Sequence, residues 1–222
     1  MSPRATAAGA ATRQPRSRLS AAERRGQILD AAEELFRDGP YEAVSLEQIA
    51  ERAGITRGLI NHHFGTRREL YIEVVRRRLE VPVLPIPEYL QGATVRERLD
   101  ASVGRWLDEV ARGRETWLAA VGAAEIGDPE IAAIVEASRE EGAMRAAEVM
   151  GFGPAEHLSP ERLGMLRAWL ALAEAAIVQW LDRGRLTRDQ VRLLAVETGV
   201  RAAEGMIDEL AALIGEFGPT DG

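Results

Sequence analysis

The segment from residue 46 to residue 64 reads LEQIAERAGITRGLINHHF, and it decides the fold of the first third of the chain. Its apolar residues recur at helical spacing on both sides of Gly54, which stands where a helix would end in the left-handed conformation. Ala50 is small where the two predicted helices must approach, and Ile55 and Ile60 close a small core. Helix, tight turn and helix in this order are typical of a DNA-binding helix-turn-helix, whose second helix enters the major groove.

Capping boxes set the helix starts around this segment. In each, a hydroxyl residue is followed three positions later by Glu or Gln, so that side chain and backbone can cap each other. Thr56 can cap the second helix of the helix-turn-helix in a simpler way. The three boxes span residues 20–23, 45–48 and 66–69.

The second helix of the motif leaves a polar face opposite its apolar residues. Arg57, Gly58, Asn61 and His62 lie on it and offer hydrogen-bond donors, an amide and a missing side chain. That helical face carries no acid, although acids outnumber bases in the whole chain. An ordinary helical hairpin would show the same apolar spacing, but it would not need such a face.

Residues 20–71 resemble the N-terminal domain of the tetracycline-repressor (TetR) family of bacterial transcription regulators. The matching stretch reads AGITRGLINHHF from Ala53 to Phe64 and continues as GTRREL to Leu70. Asn61 and His62 depart from the family pattern, which usually has aromatic residues there. The departure leaves the operator sequence open, and the helix layout after residue 87 is similar to the family's receptor domain without carrying a motif.

The resemblance implies two sets of DNA contacts. Ser45, Thr56, His63 and Arg67 match positions that contact the phosphate backbone, two of them at helix N-termini with free amides. Adjacent histidines on a helix point about 100° apart, so we expect no metal site at residues 62–63.

The second set of contacts would reach the bases or lie closest to them. Arg57 would bind guanine in a bidentate manner or hold a phosphate, and Asn61 could recognise adenine through its amide. Gly58 would let the backbone approach the DNA, and His62 would reach a phosphate or a base edge.

Charge and composition exclude several classes of protein. The net charge is −7, but residues 1–80 carry a net +3 and residues 81–222 a net −10, which suggests two separate tasks. There is no cysteine, and every basic residue is arginine, so thiol chemistry and lysine Schiff bases are excluded. No motif for catalysis, phosphate binding or metal binding is present, so we expect neither an enzyme nor a cofactor.

The chain shows no segment suited to a membrane or to export. No run of about 18 apolar residues occurs, and the start lacks the apolar region of a signal peptide. We therefore expect a cytoplasmic, nucleoid-associated protein without a membrane partner.

Periodicity predicts an all-α protein of two domains. The helix-turn-helix domain of three to four helices occupies 20–65, and a connecting helix follows at 66–80. A larger C-terminal helical domain for ligand binding and dimerisation covers 93–222. A disordered basic arm at 1–19, either inert or inserted into the minor groove, precedes them, and three prolines make 81–92 a stiff linker. Helices of the larger domain are predicted at 93–112, 114–126, 129–150, 160–183 and 187–215.

The C-terminal domain holds all four tryptophans, which suits either a plain core or a cavity for an apolar effector. Glu174 lies on an apolar helix with no base three or four residues away, so it needs a distant arginine or a group of a ligand. Glu125 has the same ambiguity. The candidate ligand-binding residues are Trp106, Trp117, Glu125, Met144, Trp169, Ala173, Glu174 and Ile177.

The last two helices have apolar arcs too wide for one packing contact. In TetR-like proteins these helices form an intersubunit four-helix bundle, and the side with small residues is the predicted contact. A larger core within a single subunit would bury the same residues. The candidate dimer residues are Ala176, Trp180, Ala195, Gly199, Ala202 and Met206.

The resemblance implies a ligand-responsive repressor. It would bind a palindromic double-stranded DNA operator as a homodimer, and a small, largely apolar effector of unknown identity would release it. The alternative is a helical DNA-binding protein whose C-terminal domain only dimerises or binds a protein partner. A helical enzyme with a fortuitous hairpin is the third possibility.

Overall fold

The computed structural model describes residues 19–39, 41–79, 92–154 and 157–206, and these residues form nine α-helices and no strand. The expected all-α class is confirmed. The predictions for the basic arm at 1–19 and the linker at 81–92 fall outside the described residues, apart from Leu19 and Gly92. The helices are α1 (Ala21–Asp38), α2 (Leu46–Ala53), α3 (Arg57–Phe64), α4 (Arg67–Leu79), α5 (Val95–Arg112), α6 (Arg114–Glu125), α7 (Pro129–Met150), α8 (Pro160–Leu181) and α9 (Arg188–Arg201).

The caps predicted from sequence form as expected. The Ser45 hydroxyl accepts from the Gln48 amide, and the Gln48 side chain accepts from the Ser45 amide in return. The boxes at 20–23 and 66–69 are also closed. Gly54 ends α2 with φ 64° and ψ 36°, a conformation that costs other residues about 1 kcal/mol or more.

The first four helices share one core. Ile28 of α1, Ile49 of α2, Ile60 of α3 and Leu70 of α4 are all essentially inaccessible to solvent. Each comes from the apolar stripe of its helix, so the periodicity that defines the helices also decides which faces meet. The recognition helix α3 is thereby held with its opposite face outward.

Helix α4 is attached to both halves of the molecule. At its start, Arg68 donates to both oxygens of Asp128, at 3.0 and 3.1 Å, where α7 begins. At its end, the hydroxyl of Ser138 of α7 donates to the carbonyl of Leu79 at 2.8 Å. Towards the N-terminal helices, Arg77 lies 2.6 Å from Asp30 of α1.

Helices α5 and α9 run antiparallel and are joined by three ion pairs in register. The pairs are Arg96–Glu197, Asp100–Arg192 and Asp108–Arg188. Beneath them, a core of aliphatic side chains is fully buried. It includes Leu99, Leu107, Leu166, Ile177 and Val191.

The last helix differs from the sequence prediction. Regular α-helix ends at Arg201 and is followed by a π-helical turn at Ala202–Met206. Gly205 within that turn has φ 129°, which is incompatible with an uninterrupted helix. The predicted continuation to residue 215 is therefore broken at Gly205, and the remainder lies outside the described residues. None of the helices in the described part of the chain has the length and apolar character needed to cross a membrane.

Candidate nucleic-acid interface and receptor cavity

The outer face of α3 carries the residues expected there. Arg57, Gly58, Asn61 and His62 are all exposed, whereas Ile60 is buried in the hydrophobic core. These four residues, one of them a glycine, thus share one solvent-facing surface of α3. An exposed helix face with one arginine, one amide and one imidazole can donate to base edges or phosphates.

Two hydroxyls mark the start of the helices at this surface. Thr56 caps α3 by accepting from the Leu59 amide at 3.3 Å, and Ser45 caps α2 by accepting from Gln48. In both cases the oxygen accepts, so the hydroxyl proton remains available to an anion. Thr56 is exposed and Ser45 half-buried.

An acid lies beside Arg57. The guanidinium of Arg57 donates to the carboxylate of Glu47 at 2.6 Å, and about 60% of each side chain is exposed. Sequence reasoning considered only the face of α3 itself and therefore missed this acid, which comes from α2. The signal in the sequence was that Glu47 and Arg57 stand near the starts of two helices joined by a tight turn, which brings them close together.

The two histidines are placed differently. His62 is exposed, while His63 is half-buried, with the ring centroids 5.4 Å apart in an edge-to-face arrangement. The backbone carbonyl of His63 accepts from Arg25 of α1 at 2.8 Å. No cluster of three or more metal-binding side chains occurs among the residues that the structure describes.

Arg67 turns towards the protein. Its guanidinium lies 4.3 Å from the centre of the Tyr41 ring and donates to the Tyr41 carbonyl. Tyr41 in turn contacts Tyr71 and Phe36, with ring centroids 4.3 and 6.0 Å away. The phosphate contact predicted for Arg67 stays a prediction, and this geometry gives the residue a structural role beside it.

Sequence reasoning missed two polar residues of α1 that hold the helix-turn-helix together. Arg25 stacks 4.2 Å over the Phe64 ring and pairs with Glu73 of α4 at 2.8 Å. Gln27 donates to the carbonyl of Ala53 at 2.7 Å, at the C-terminal end of α2. Both groups satisfy or cover helix ends of the motif. Only the three-dimensional arrangement reveals them, because they lie about 25 to 50 positions from their partners.

A cavity of about 370 Å³ lies in the C-terminal domain, lined by residues of α4 to α8. Its volume falls in the range of about 300–1,000 Å³ that is usual for small-molecule sites. Of the predicted ligand-binding residues, Trp106, Trp117, Trp169 and Glu174 line it. Those that do not line it are Glu125, Met144, Ala173 and Ile177.

These four have other surroundings. Glu125 is exposed at the end of α6, and Met144 is half-buried on α7. Ala173 and Ile177 of α8 are fully buried in the core. A ligand role for them stays a prediction, whereas the aromatic wall of the cavity is built by tryptophans from α5, α6 and α8.

Glu174 pairs with Arg139, which is distant in sequence. Its carboxylate accepts from Nε of Arg139 on α7 at 3.0 Å, and only 15% of its side chain is exposed. Burial raises the pKa of Glu174 above its ordinary value, and the nearby Arg139 opposes part of that rise. Arg139 thus supplies the distant arginine that the sequence offered as one explanation for this acid. Because Glu174 also faces the cavity, its ligand role stays a prediction.

Trp169 ties the cavity wall to α9. Its indole N–H donates to the Ala195 carbonyl and to the Thr198 hydroxyl, each at 3.2 Å. The polar end of the ring is therefore satisfied inside the protein while its apolar part remains at the cavity. The position of this wall depends on α9.

The small-residue side of α9 faces its own subunit. Ala195 and Ala202 are 1% exposed, and a Cβ on Gly199 would lie 3.1 Å from Leu99 and 3.2 Å from Trp169. Ala176 of α8 is buried as well, Trp180 is half-buried, and the Met206 side chain lies outside the described residues. The contact side predicted from small residues is thus used internally, which revises the surface available to a second copy.

Large apolar side chains are exposed on the other side of the same two helices. Leu172 of α8 is 42% exposed, and Leu193 and Leu194 of α9 are 61% and 38% exposed. Helices α8 and α9 pack against each other, and we call these three exposed leucines the α8–α9 patch. Patches of this kind mark interaction surfaces.

Two family models match separate segments of the chain. Residues 28–74 match the family described as "Bacterial regulatory proteins, tetR family", and residues 95–202 match "Tetracyclin repressor-like, C-terminal domain". A solved TetR-family transcriptional regulator from Streptomyces coelicolor superimposes with a TM-score of 0.69 at 24% identity, covering 89% of each chain. That likeness concerns the fold.

Curated relatives match shorter segments. The transcriptional activator FasR of Mycolicibacterium smegmatis is 33% identical over 125 residues, which are 56% of this chain and 57% of that protein. The repressor KstR of the same organism is 33% identical over 84 residues, 37% of this chain and 41% of that protein. The chain thus aligns with about half the length of these relatives. Both are transcription regulators, in agreement with the expectation that the chain is not an enzyme.

Proposed function

Because this chain belongs to the TetR family of bacterial transcription regulators, we propose that it is a repressor with an operator site and an effector site. In this proposal it binds a palindromic DNA operator as a dimer and leaves that operator when a small, largely apolar effector binds. The carrying observation is the pairing of two features through α4. Helix α4 packs against the exposed helix α3, and its last turn lines the tryptophan-lined cavity.

The DNA contact is assigned to α3 and the helix starts beside it. Arg57, Asn61 and His62 would face the major groove, with Gly58 allowing close approach. The hydroxyls of Ser45 and Thr56 keep a proton for phosphate oxygens. Arg57 must leave Glu47 or share it when it engages DNA, and an exposed pair of this kind costs at most about 1 kcal/mol to break.

Dimerisation is assigned to the α8–α9 patch. Leu172, Leu193 and Leu194 would be covered by the same patch of a second copy, in the isologous contact that a two-fold axis requires. Two recognition helices related by that axis would read two half-sites of a palindrome. The opposite side of α9 is already occupied by the subunit's own core.

The effector would occupy the cavity. Its wall includes Leu79, the last residue of α4, so a ligand there would contact the helix that carries the DNA-binding half. A ligand releases DNA only when it prefers the conformation that does not bind DNA. The alternative, a C-terminal domain that only dimerises or binds a protein, offers no use for a tryptophan-lined cavity.

The test is a titration of the full chain with DNA from its own upstream region and with unrelated DNA at several salt concentrations. We expect tight binding to the former that weakens steeply with salt, and a loss of at least about tenfold in Arg57→Ala. Arg52→Ala is the matched control, since Arg52 is a similarly exposed arginine of α2 that pairs with Glu34. Equal, weak binding to both DNAs would contradict the proposal.

A further inference from the structure

The cavity wall combines apolar surface with charged groups. Four arginines and two glutamates belong to it. Four of these six groups form ion pairs with residues outside the wall. The pairs are Arg77 with Asp30, Arg145 with Glu148, Glu109 with Arg112, and Glu174 with Arg139. Those charges are compensated within the protein, so they do not call for a charged ligand.

Two arginines of the wall are different. Within the described part of the chain, neither Arg78 of α4 nor Arg105 of α5 has an ion-pair or hydrogen-bond partner, and both are half-buried. Burying part of a guanidinium without a counter-charge is unfavourable. The wall of one cavity therefore carries two cationic groups that have no counter-charge among the described residues.

The surroundings of Arg78 fix where this positive site lies. Its guanidinium end rests against Gly113, at the corner between α5 and α6. A Cβ built on Gly113 would lie 3.0 Å from Cζ and 3.2 Å from Cδ of Arg78. Glycine therefore leaves the space that the arginine occupies, and a side chain at position 113 would move the guanidinium.

The rest of the wall sets the remaining chemistry. Trp106, Trp117, Val103 and Leu170 present apolar surface, and the Ser102 hydroxyl adds a small polar group. A ligand that satisfies both parts carries one oxyanion on an apolar body. Guanidinium groups bind carboxylate and phosphate oxygens through charge-assisted hydrogen bonds.

We propose that the cavity takes an amphipathic anion, an apolar chain or ring that ends in a carboxylate or phosphate held by Arg78 and Arg105. The assignment of this anion as the effector rests on the proposed function, but the binding itself does not. Because Arg78 belongs to α4, the anion would contact the helix that carries the DNA-binding half.

The test uses the full chain without DNA and four probes that share a straight chain of ten carbons: decanoate, decyl phosphate, decanol and decyltrimethylammonium. Binding is followed by calorimetry and by the emission of the cavity tryptophans. We expect each anion that fits to bind at least about tenfold more tightly than decanol, and the cation to bind least. The ratio of decanoate to decyl phosphate affinity then tells which headgroup the site prefers.

Variants separate charge from position. Arg78→Gln and Arg105→Gln should each lower the anion-to-decanol ratio by about tenfold while decanol affinity stays nearly constant. Gly113→Ala should lower the ratio as well, with the charge unchanged, because it displaces the Arg78 guanidinium. Arg78→Lys should recover part of the preference. Arg183→Gln, an exposed arginine at the end of α8, is the matched control and should change nothing.

The proposal is overturned if decanol binds as tightly as both anions, if neither anion binds, or if the variants weaken decanol and anions alike. DNA binding is measured separately on the same preparations. A protein that binds anions but no DNA would refute the regulator and leave the anion site. A protein that binds its operator but prefers decanol would refute the anion site and leave the regulator.

Discussion

Arg57 and Glu47 form an ion pair of 2.6 Å across the turn of the helix-turn-helix, with both side chains largely in solvent. The acid belongs to α2 and the base to the recognition helix. The pair therefore orients the arginine in the free protein and at the same time places a negative charge on the surface assigned to DNA. Its two effects on binding have opposite signs.

Glu47→Gln is expected to strengthen binding to every DNA sequence and to reduce the ratio between operator and unrelated DNA. Removing a negative charge from the interface favours phosphates in general, and Arg57 loses the partner that holds its direction. Fluorescence anisotropy on both DNAs at two salt concentrations measures this.

Glu34→Gln provides the comparison for Glu47→Gln, because Glu34 pairs with Arg52 at 2.7 Å and is similarly exposed. It should leave the operator preference unchanged. A loss of affinity in Glu47→Gln for operator and unrelated DNA alike would contradict the expectation.

Arg67→Gln is expected to lower the free energy of unfolding by about 1–2 kcal/mol, through loss of the stacking on Tyr41 and of the bond to its carbonyl. Operator affinity per folded molecule should change by less than about threefold if that structural role dominates. Urea unfolding and anisotropy give the two values. Arg76→Gln, which removes an exposed pair with Glu73, should be nearly neutral.

The reverse pattern for Arg67→Gln would support the family-based assignment instead. Wild-type stability with a large loss of operator affinity would mean that Arg67 leaves Tyr41 and holds a phosphate. The two measurements therefore separate the structural role from the DNA contact.

Glu174→Gln is expected to flatten the pH dependence of stability. Because burial raises the pKa of Glu174 in the folded protein, the folded state binds this proton more tightly than the unfolded chain does. The wild type should therefore lose stability as pH rises from the ordinary glutamate pKa of 4.5 through the raised value. Urea unfolding at a series of pH values between 4.5 and 7 measures the slope.

Glu140→Gln is the control for this pH series. Glu140 pairs with Arg167 at 2.7 Å on the same two helices, but 38% of its side chain is exposed. Its slope should match the wild type. If Glu174→Gln also keeps the wild-type slope, the burial of that carboxyl has no effect on its titration.

Leu172→Glu together with Leu193→Glu is expected to convert a dimer into a monomer and to weaken operator binding. Charges placed in the α8–α9 patch would be desolvated by a second copy of the same patch. Sedimentation at micromolar concentration measures the mass. Ile126→Glu is the control, because Ile126 is 88% exposed but lies at the turn between α6 and α7. A double variant that stays dimeric would place the interface elsewhere.

Gly199→Ala is expected to be less stable than the matched variant Gly104→Ala. Both glycines lie inside helices, where alanine gains about 1 kcal/mol in helix propensity. Nothing lies within 4 Å of a Cβ on Gly104, whereas a Cβ on Gly199 would crowd Leu99, Trp169 and Met150. Thermal unfolding compares them, and equal stabilisation would contradict the packing described for α9.

Local signals made much of the fold predictable. The caps at Ser20, Ser45 and Thr66 and the left-handed Gly54 depend on residues within five positions of each other, and all formed as expected. The exposed side of α3 followed from the same periodicity. Such features need no knowledge of the partner helices.

Features that depend on distant residues could not be predicted. The periodicity of α9 showed that its apolar arc is wide, but not that Gly199 faces Leu99 of α5 rather than a second copy. Arg67 matched a phosphate-binding position, yet its guanidinium found the Tyr41 ring. The break at Gly205 was missed because a single glycine in an apolar helix is often tolerated.

The two bonds between α4 and α7 constrain how the halves of the protein can move. Arg68 to Asp128 and Leu79 to Ser138 are about 16 Å apart along α4, at about 1.5 Å per residue. Helix α4 cannot slide along α7 unless both of these attachments break. While both attachments hold, α4 tilts together with α7, and when one of them breaks α4 can pivot about the other. A displacement of the last turn of α4 would therefore reach the N-terminal helices as a tilt of α4 and not as a shift along its axis.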